Sequence, residues 1–207
     1  MRSKFIPLAK PFANEDEERA VLEVLRSGMW TTGPTVTAFE KACCGYLGPD
    51  VHAVGLTYCT AGLFLALKVL GVGPGDEVVV PTWTFAATAQ VAEWLGAVPV
   101  LCDVDPKTLC MTPGAVEKVL TPRTKAIMPV HLFGYPCDMD ALNALAARRG
   151  LHVVEDAAHA FGTTCSGRKI GSFGQTAVFS FYATKNLACG EGGMVVSTDG
   201  DLVEKVR

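Results

Sequence analysis

Four short segments carry side chains able to hold one small charged ligand and do chemistry on it. In TYCTAGL (57–63), Thr60 and Ala61 open a helix straight after an apolar run. Their backbone N–H groups have no partner within the helix, and the helix dipole favours an anion such as phosphate. In PTWTFAAT (81–88), Trp83 and Phe85 follow a second apolar run and offer flat faces for stacking. VVEDAAHA (153–160) sets Asp156 and His159 three residues apart, a carboxylate beside a group that titrates near neutrality. FSFYATKNLACGEGG (179–193) places Ser180 at a strand end and Lys185 five residues on, among glycines that permit close backbone approach. Each segment also has a plain structural reading. Thr60 suits a simple helix cap, the aromatics a core, Asp156 a cap with His159 at the surface, and Lys185 a solvated charge.

Several other chemistries lack their motif. The sequence contains no Gly-x-x-x-x-Gly-Lys-Ser/Thr phosphate loop, no His-Glu-x-x-His pair and no Gly-x-Ser-x-Gly nucleophile turn. GVGPG (71–75) has the glycine density of a dinucleotide loop, but it runs from helix to strand. That is the wrong direction for the Rossmann fingerprint, and the segment reads as a helix-to-strand turn.

The elements that must position these residues alternate along the chain. Asn14 with Glu17 three later forms a capping-box start for a helix through Val21, Val24 and Leu25 to Gly28. The turn-like TTGP (31–34) leads to a second helix carrying Val36, Phe39 and Cys43. VHAVGL (51–56) predicts a strand, followed by a helix through Leu63, Leu67 and Leu70 that stops at Gly71. EVVVP (77–81), VPVLCDVD (98–105), KAIMPVH (125–131), LHVVEDA (151–157), AVFSF and GMVVS predict further strands. Helices lie between them: one through Val91 and Leu95 to Gly96, one opened by Thr112-Pro113, and one over 138–149 closed by Gly150. Ser166-Gly167 suits a hairpin turn. The pattern predicts an α/β fold, a mostly parallel sheet covered on both faces by helices. Ligands of such sheets gather at the carboxyl ends of the strands, where all four segments lie.

Composition limits the function classes. The 207 residues allow one large domain or two small ones, with 49% hydrophobic and 19% charged residues as in ordinary globular proteins. Eighteen Lys and Arg against 21 Asp and Glu leave a net charge of -3, which offers nothing to a nucleic-acid backbone. No apolar run is long enough for a membrane span, and the first twenty residues lack the apolar core of a signal peptide. The eight cysteines form no Cys-x-x-Cys pair and no zinc spacing. They read as small core residues of a reducing compartment, so the expected location is the cytoplasm.

Taken together, CTAGL, TWTFAAT, EDAAHA and Lys185 in FSFYATKNLACGEGG resemble the DegT/StrS family of pyridoxal-phosphate sugar aminotransferases. SGMWTTGP (27–34), LGVGPGDEVVVP (70–81), DPKTLCMTP (105–113) and TPRTKAIMPVHLFG (121–134) extend the likeness along nearly the whole chain, in order. The resemblance implies the large domain of a fold-type I pyridoxal-phosphate enzyme. It implies that Lys185 holds pyridoxal 5'-phosphate as a Schiff base, which needs an unprotonated amine. It places Asp156 at the pyridine nitrogen, keeping it protonated so that the ring accepts electrons. By the same resemblance His159 lies near the cofactor's 3-oxygen, Phe85 stacks on the ring and Trp83 packs nearby. Ser180 and the N–H groups of Thr60 and Ala61 hold the phosphate.

The implied reaction is transamination in two half-reactions. An amino acid, expected to be glutamate, delivers its nitrogen to the cofactor, which then aminates a nucleotide-linked keto sugar. Lys185 shuttles the proton. SGMWTTGP, CTAGL and EDAAHA are nearest to the 4-keto pentose enzymes that make UDP-4-amino-4-deoxy-L-arabinose, pointing to amination at C4 and to cell-envelope polysaccharide. Thr31 and Thr32 are candidates for the sugar, with a structural turn as the other reading. A sugar dehydratase on the same scaffold is disfavoured, because those relatives carry histidine at the position of Lys185.

Two features depart from the family pattern. Leu56 and Tyr58 stand where the family has small or polar residues, so Tyr58 either shapes the pocket or points into the core. The chain also stops at Arg207, inside an expected helix begun at DGD (199–201). Family members continue into a smaller C-terminal domain that shapes the substrate site, supports a homodimer and sends an asparagine to the neighbour's phosphate. The expectation is therefore that residues 1–207 form a large cofactor domain incomplete at its C-terminal end. The alternative is a truncated, non-catalytic fragment, and this form by itself is expected to be poorly soluble or to retain cofactor weakly.

Overall fold

The computed structural model describes residues 6, 7 and 9–207. Part of the N-terminal stretch read as lacking an export signal, residues 1–5 and 8, lies outside the described residues.

Helix α1 (Glu15–Ser27) begins with the expected capping box: Asn14 accepts from the backbone N–H of Asp16, and Glu17 accepts from that of Asn14. It ends at Gly28, which takes the left-handed conformation at φ 71°. The order continues as α2 (Pro34–Leu47), β1 (His52–Leu56), α3 (Cys59–Val69), β2 (Glu77–Pro81), α4 (Ala87–Trp94), β3 (Val98–Cys102), α5 (Pro113–Glu117) and β4 (Thr124–Ile127). After a 3-10 turn (Leu132–Gly134) come α6 (Met139–Arg149), β5 (His152–Asp156), β6 (Thr164–Cys165), β7 (Arg168–Lys169), β8 (Thr176–Ser180), β9 (Gly193–Ser197) and α7 (Gly200–Val206).

Seven strands form one sheet in the order β1-β9-β8-β5-β4-β2-β3. β9 runs antiparallel to both β1 and β8, and the remaining pairs are parallel. Six strands therefore share one direction. The side-chain alternation of each strand feeds two cores. Val79, Ile127, Val153, Phe179 and Val196 meet α2, α5 and α6 on one face. Val78, Val80, Ala126, Val154, Val178 and Val195 meet α3, α4 and α7 on the other. This double burial is why those strands read as continuous apolar runs rather than alternating ones.

Two strands are shorter than expected, each for a local reason. The predicted strand 98–105 ends at Cys102, because the Asp105 carboxylate turns the chain by accepting from the N–H groups of Lys107 and Thr108. As the edge of the sheet, β3 also leaves Val98 and Leu101 exposed. The predicted strand 125–131 stops at Ile127, since Pro129 has no N–H for the ladder, although its carbonyl still accepts from Asp156. Ser166-Gly167 forms the expected two-residue hairpin between β6 and β7, both residues at positive φ (51° and 78°). GVGPG closes α3 onto β2 with Gly73 donating to Asp76, at the end of β2 away from Pro81. Helix α7 is capped by Asp199, and Arg207 donates to both carboxylate oxygens of Glu40 (3.2 and 3.0 Å) and to the Ala53 carbonyl. Those bonds tie α7 to α2 and β1.

Candidate active site

A cavity of about 530 Å³ opens at the carboxyl ends of the parallel strands. Each strand delivers its lining residues from the turn that follows it: Tyr58 and Thr60 after β1, Thr84 and Phe85 after β2, Val130 and Leu132 after β4, Asp156 and His159 at and after β5, and Ser180 and Lys185 at and after β8. Glu191 enters just before the reversed β9.

The N-terminus of α3 faces this cavity without a side-chain cap. Its first residues sit deep because two glycines let the helix press on the sheet. A Cβ on Gly62 would lie 2.6 Å from Val178 Cγ1, and one on Gly193 would lie 2.5 to 2.7 Å from backbone atoms of Tyr58 and Cys59. The atoms facing Gly193 are backbone and cannot swing aside, so Gly193→Ala must displace the start of α3. The expected cost is about 1–3 kcal/mol of stability, read as a lower thermal midpoint together with weaker phosphate binding.

Asp156 ends β5 and is buried. One carboxylate oxygen accepts from the Thr88 hydroxyl at 2.8 Å and the other from the Ala158 N–H at 3.2 Å. With the Thr88 proton committed to the carboxylate, Thr84 is the donor in the 2.7 Å bond between the two threonines. Asp156 therefore caps the following turn while also facing the cavity. Thr84 and Thr88, the residues that hold it, lie within TWTFAAT, a segment singled out only for its aromatics. Their signal was the i, i+4 spacing, which puts both hydroxyls on one side of a helical turn.

His159 lines the cavity with its ring parallel to that of Phe133 (interplanar angle 3°, centroids 5.9 Å apart). Its Nδ1 accepts the Phe133 N–H at 3.2 Å. Burial first, then the positive charge of Lys185, lowers its pKa, while Asp156 pulls the other way. Lys185 is half-buried and sits in a loop clamped at its base. Phe181 donates to the Gly192 carbonyl, Cys189 to that of Phe181, and Ala183 to that of Gly190, while the Asn186 side chain donates to the Phe161 carbonyl. Gly190, at φ 96°, makes the return possible.

Phe85 lies on the cavity and is 75% exposed, so it is free to stack rather than part of a core. Trp83 is 57% exposed and lies outside the lining. Tyr58 is 51% exposed and lines the cavity, whereas Leu56 packs against the core. Ala61, third residue of α3, is not part of the lining surface and can reach a ligand only through its N–H. Thr31 lies in a separate cleft of about 430 Å³ between α1 and α2, and Thr32 lines neither space. No group of three or more His, Cys, Asp or Glu suited to a metal occurs among the described residues.

An unhindered helix N-terminus beside a buried serine hydroxyl, a flat exposed aromatic, a buried carboxylate and a lysine fit pyridoxal phosphate: each ionic part of that molecule meets its complement. The DegT/DnrJ/EryC1/StrS aminotransferase family matches this chain over residues 11–207. The spore coat polysaccharide biosynthesis protein SpsC of Bacillus subtilis is 50% identical over 206 residues, covering 100% of this chain and 53% of SpsC. Among solved structures, DesV of S. venezuelae in complex with a ketimine intermediate aligns with TM-score 0.90 at 47% identity, over 93% of this chain and 52% of DesV. Spr1654 of Streptococcus pneumoniae, in its PLP-form, aligns with TM-score 0.91 at 35% identity, over 97% of this chain and 56% of that one. The chain thus spans about half the length of the relatives it matches.

Proposed function

Because the chain belongs to the DegT/DnrJ/EryC1/StrS aminotransferase family, we propose that it forms the cofactor half of an enzyme moving an amino group from an amino acid to a nucleotide-linked keto sugar. The observation that carries this reading is the meeting of Lys185, Asp156, Ser180 and the uncapped start of α3 around one cavity. Pyridoxal phosphate, when bound, supplies an aldehyde carbon that takes up nitrogen and a ring that accepts electrons. The protein does the rest. Lys185 would hold the aldehyde carbon through its Nζ, and the same amine would move a proton to and from the carbon that bears the amino group. Asp156, oriented by Thr88, would keep the ring nitrogen protonated. Ser180 and the N–H groups of Thr60 and Ala61 would anchor the phosphate, and Phe85 would stack on the ring.

Glutamate as donor, amination at C4, and a pentose for cell-envelope polysaccharide complete the proposal. The name of SpsC, a polysaccharide biosynthesis protein, agrees with that destination. We read residues 1–207 as the large domain, with a smaller domain and a second subunit completing a homodimer. The exposed apolar residues Val21, Leu22, Leu25 and Trp30 on and after α1 suit such cover. Eight free cysteines suit a cytoplasmic location, and no helix among the described residues is long and apolar enough to cross a membrane.

Loading the protein with pyridoxal phosphate, reducing it with borohydride and mapping the peptides tests the cofactor assignment. The label is expected on Lys185; a label on another lysine, or none, overturns it. A panel of nucleotide keto sugars with glutamate then reads the substrate, with 4-keto pentoses expected to turn over fastest.

A further inference from the structure

The 3-10 turn after β4 contains a residue in a conformation that side chains avoid. Phe133 lies at φ 52°, ψ 23°, and its side chain is 78% exposed. Nothing apolar is gained by holding a bulky residue there, and the left-handed region suits glycine. Its neighbours explain the arrangement. The Phe133 N–H points to His159 Nδ1 at 3.2 Å, the Thr163 hydroxyl donates to the Gly134 carbonyl at 3.0 Å, and Gly134 (φ 81°) lies so close that a Cβ there would be 3.1 Å from the His159 carbonyl. The turn is thus clamped onto residues 159–163, with the two rings parallel.

We propose that Phe133 is a positioning residue: its left-handed backbone aims an N–H at His159 Nδ1 and thereby holds the imidazole as the neutral tautomer protonated on Nε2. A ring nitrogen that accepts a hydrogen bond cannot carry the proton, so the proton sits on the other nitrogen. His159 then offers the cavity one donor and no charge. Among the charged groups facing it, Lys185 opposes protonation and Asp156 favours it, with burial adding to the effect of Lys185. A neutral donor at this point hydrogen-bonds an oxygen of the bound molecule without competing with Lys185 as a second cation. That catalytic meaning rests on the proposed cofactor reading; the tautomer does not.

The test is nitrogen NMR of the protein labelled with 15N-histidine and free of cofactor, the four histidines being assigned with His159→Gln. At pH 7 His159 is expected as the neutral Nε2–H form. Phe133→Gly removes the ring but keeps the N–H and tolerates positive φ, so it is expected to leave this pattern intact. Phe133→Val, whose branched Cβ disfavours the left-handed region, is expected to give mixed tautomers and a titration moved up towards that of free histidine. A wild-type Nδ1–H form, or an imidazolium at pH 7, overturns the proposal. So does a folded Phe133→Val protein with unchanged signals, or a Phe133→Gly protein that loses the pattern, which would assign the effect to the ring. Should Phe133→Val fail to fold, the wild-type and Phe133→Gly spectra decide. Failure of borohydride labelling would strike the cofactor reading alone and leave this result standing.

Discussion

Lys185→Ala is expected to lower the rate of amino transfer by about 10²–10⁴-fold and to abolish the borohydride label. The size follows from what the side chain does. In the proposed mechanism it is the amine that holds the cofactor's carbon and the base that moves the proton, so one truncation removes both contributions. The fold should be indifferent to the loss. Lys185 sits half-buried in a loop whose shape is set by main-chain bonds from Phe181, Ala183 and Cys189 and by the Asn186 side chain. Lys185 makes no ion pair among the described residues. Circular dichroism and the thermal midpoint should therefore match those of the parent, while kcat falls. Added small primary amines should restore part of the proton transfer, since the missing group is an amine and the site around it is intact. Retention of more than a tenth of the rate would refute the role given to this lysine.

Asp156→Asn is expected to cost about 2–5 kcal/mol of transition-state stabilisation, roughly 30- to several thousand-fold in rate. Asparagine keeps the shape: its oxygen can accept from the Ala158 N–H while its amide donates to Thr88, whose hydroxyl then donates to Thr84, so the change removes charge while sparing hydrogen bonding. What is lost, in the proposed mechanism, is the negative partner that keeps the ring nitrogen protonated. Asp156→Ala makes the contrast. It removes the acceptor of the fully buried Thr88 hydroxyl, leaving it Thr84 alone, and the acceptor of the Ala158 N–H, and should add a stability loss of about 1–3 kcal/mol. Activity lost in both variants, with stability lost only in the alanine one, separates the electrostatic role from the structural one. A near-normal rate for the asparagine variant would remove Asp156 from the mechanism.

Much of the fold was legible because its signals are local. The Asn14–Glu17 capping box, the glycine stops at 28 and 150, and the doubly buried strands around Val79, Val153 and Val178 depend on neighbours a few residues away or on burial of both faces. The order of elements along the chain followed, as did the placing of the chemistry-bearing residues after strands. The family likeness read from short motifs agrees with the family match over residues 11–207. The shortened β3 and β4 were misjudged where polar and proline chemistry cut across an apolar run, at Asp105 and Pro129.

What the sequence determined by itself was the set of groups: a lysine, a carboxylate, an imidazole, a serine and an uncapped helix start, each just past a strand. Which of them meet was decided only in three dimensions. Five strand ends far apart in sequence are brought to one rim by the strand order, which no local pattern encodes. The rim sends Thr31 to another cleft and leaves Trp83 outside. Orientation was likewise a tertiary matter. Thr88 reaches Asp156 across 68 residues, and Phe133 reaches His159 across 26. The physical reason is that a hydrogen bond acts over about 3 Å and reads direction as well as distance. Residue type tells what a group can donate or accept; only the packed backbone tells where it points.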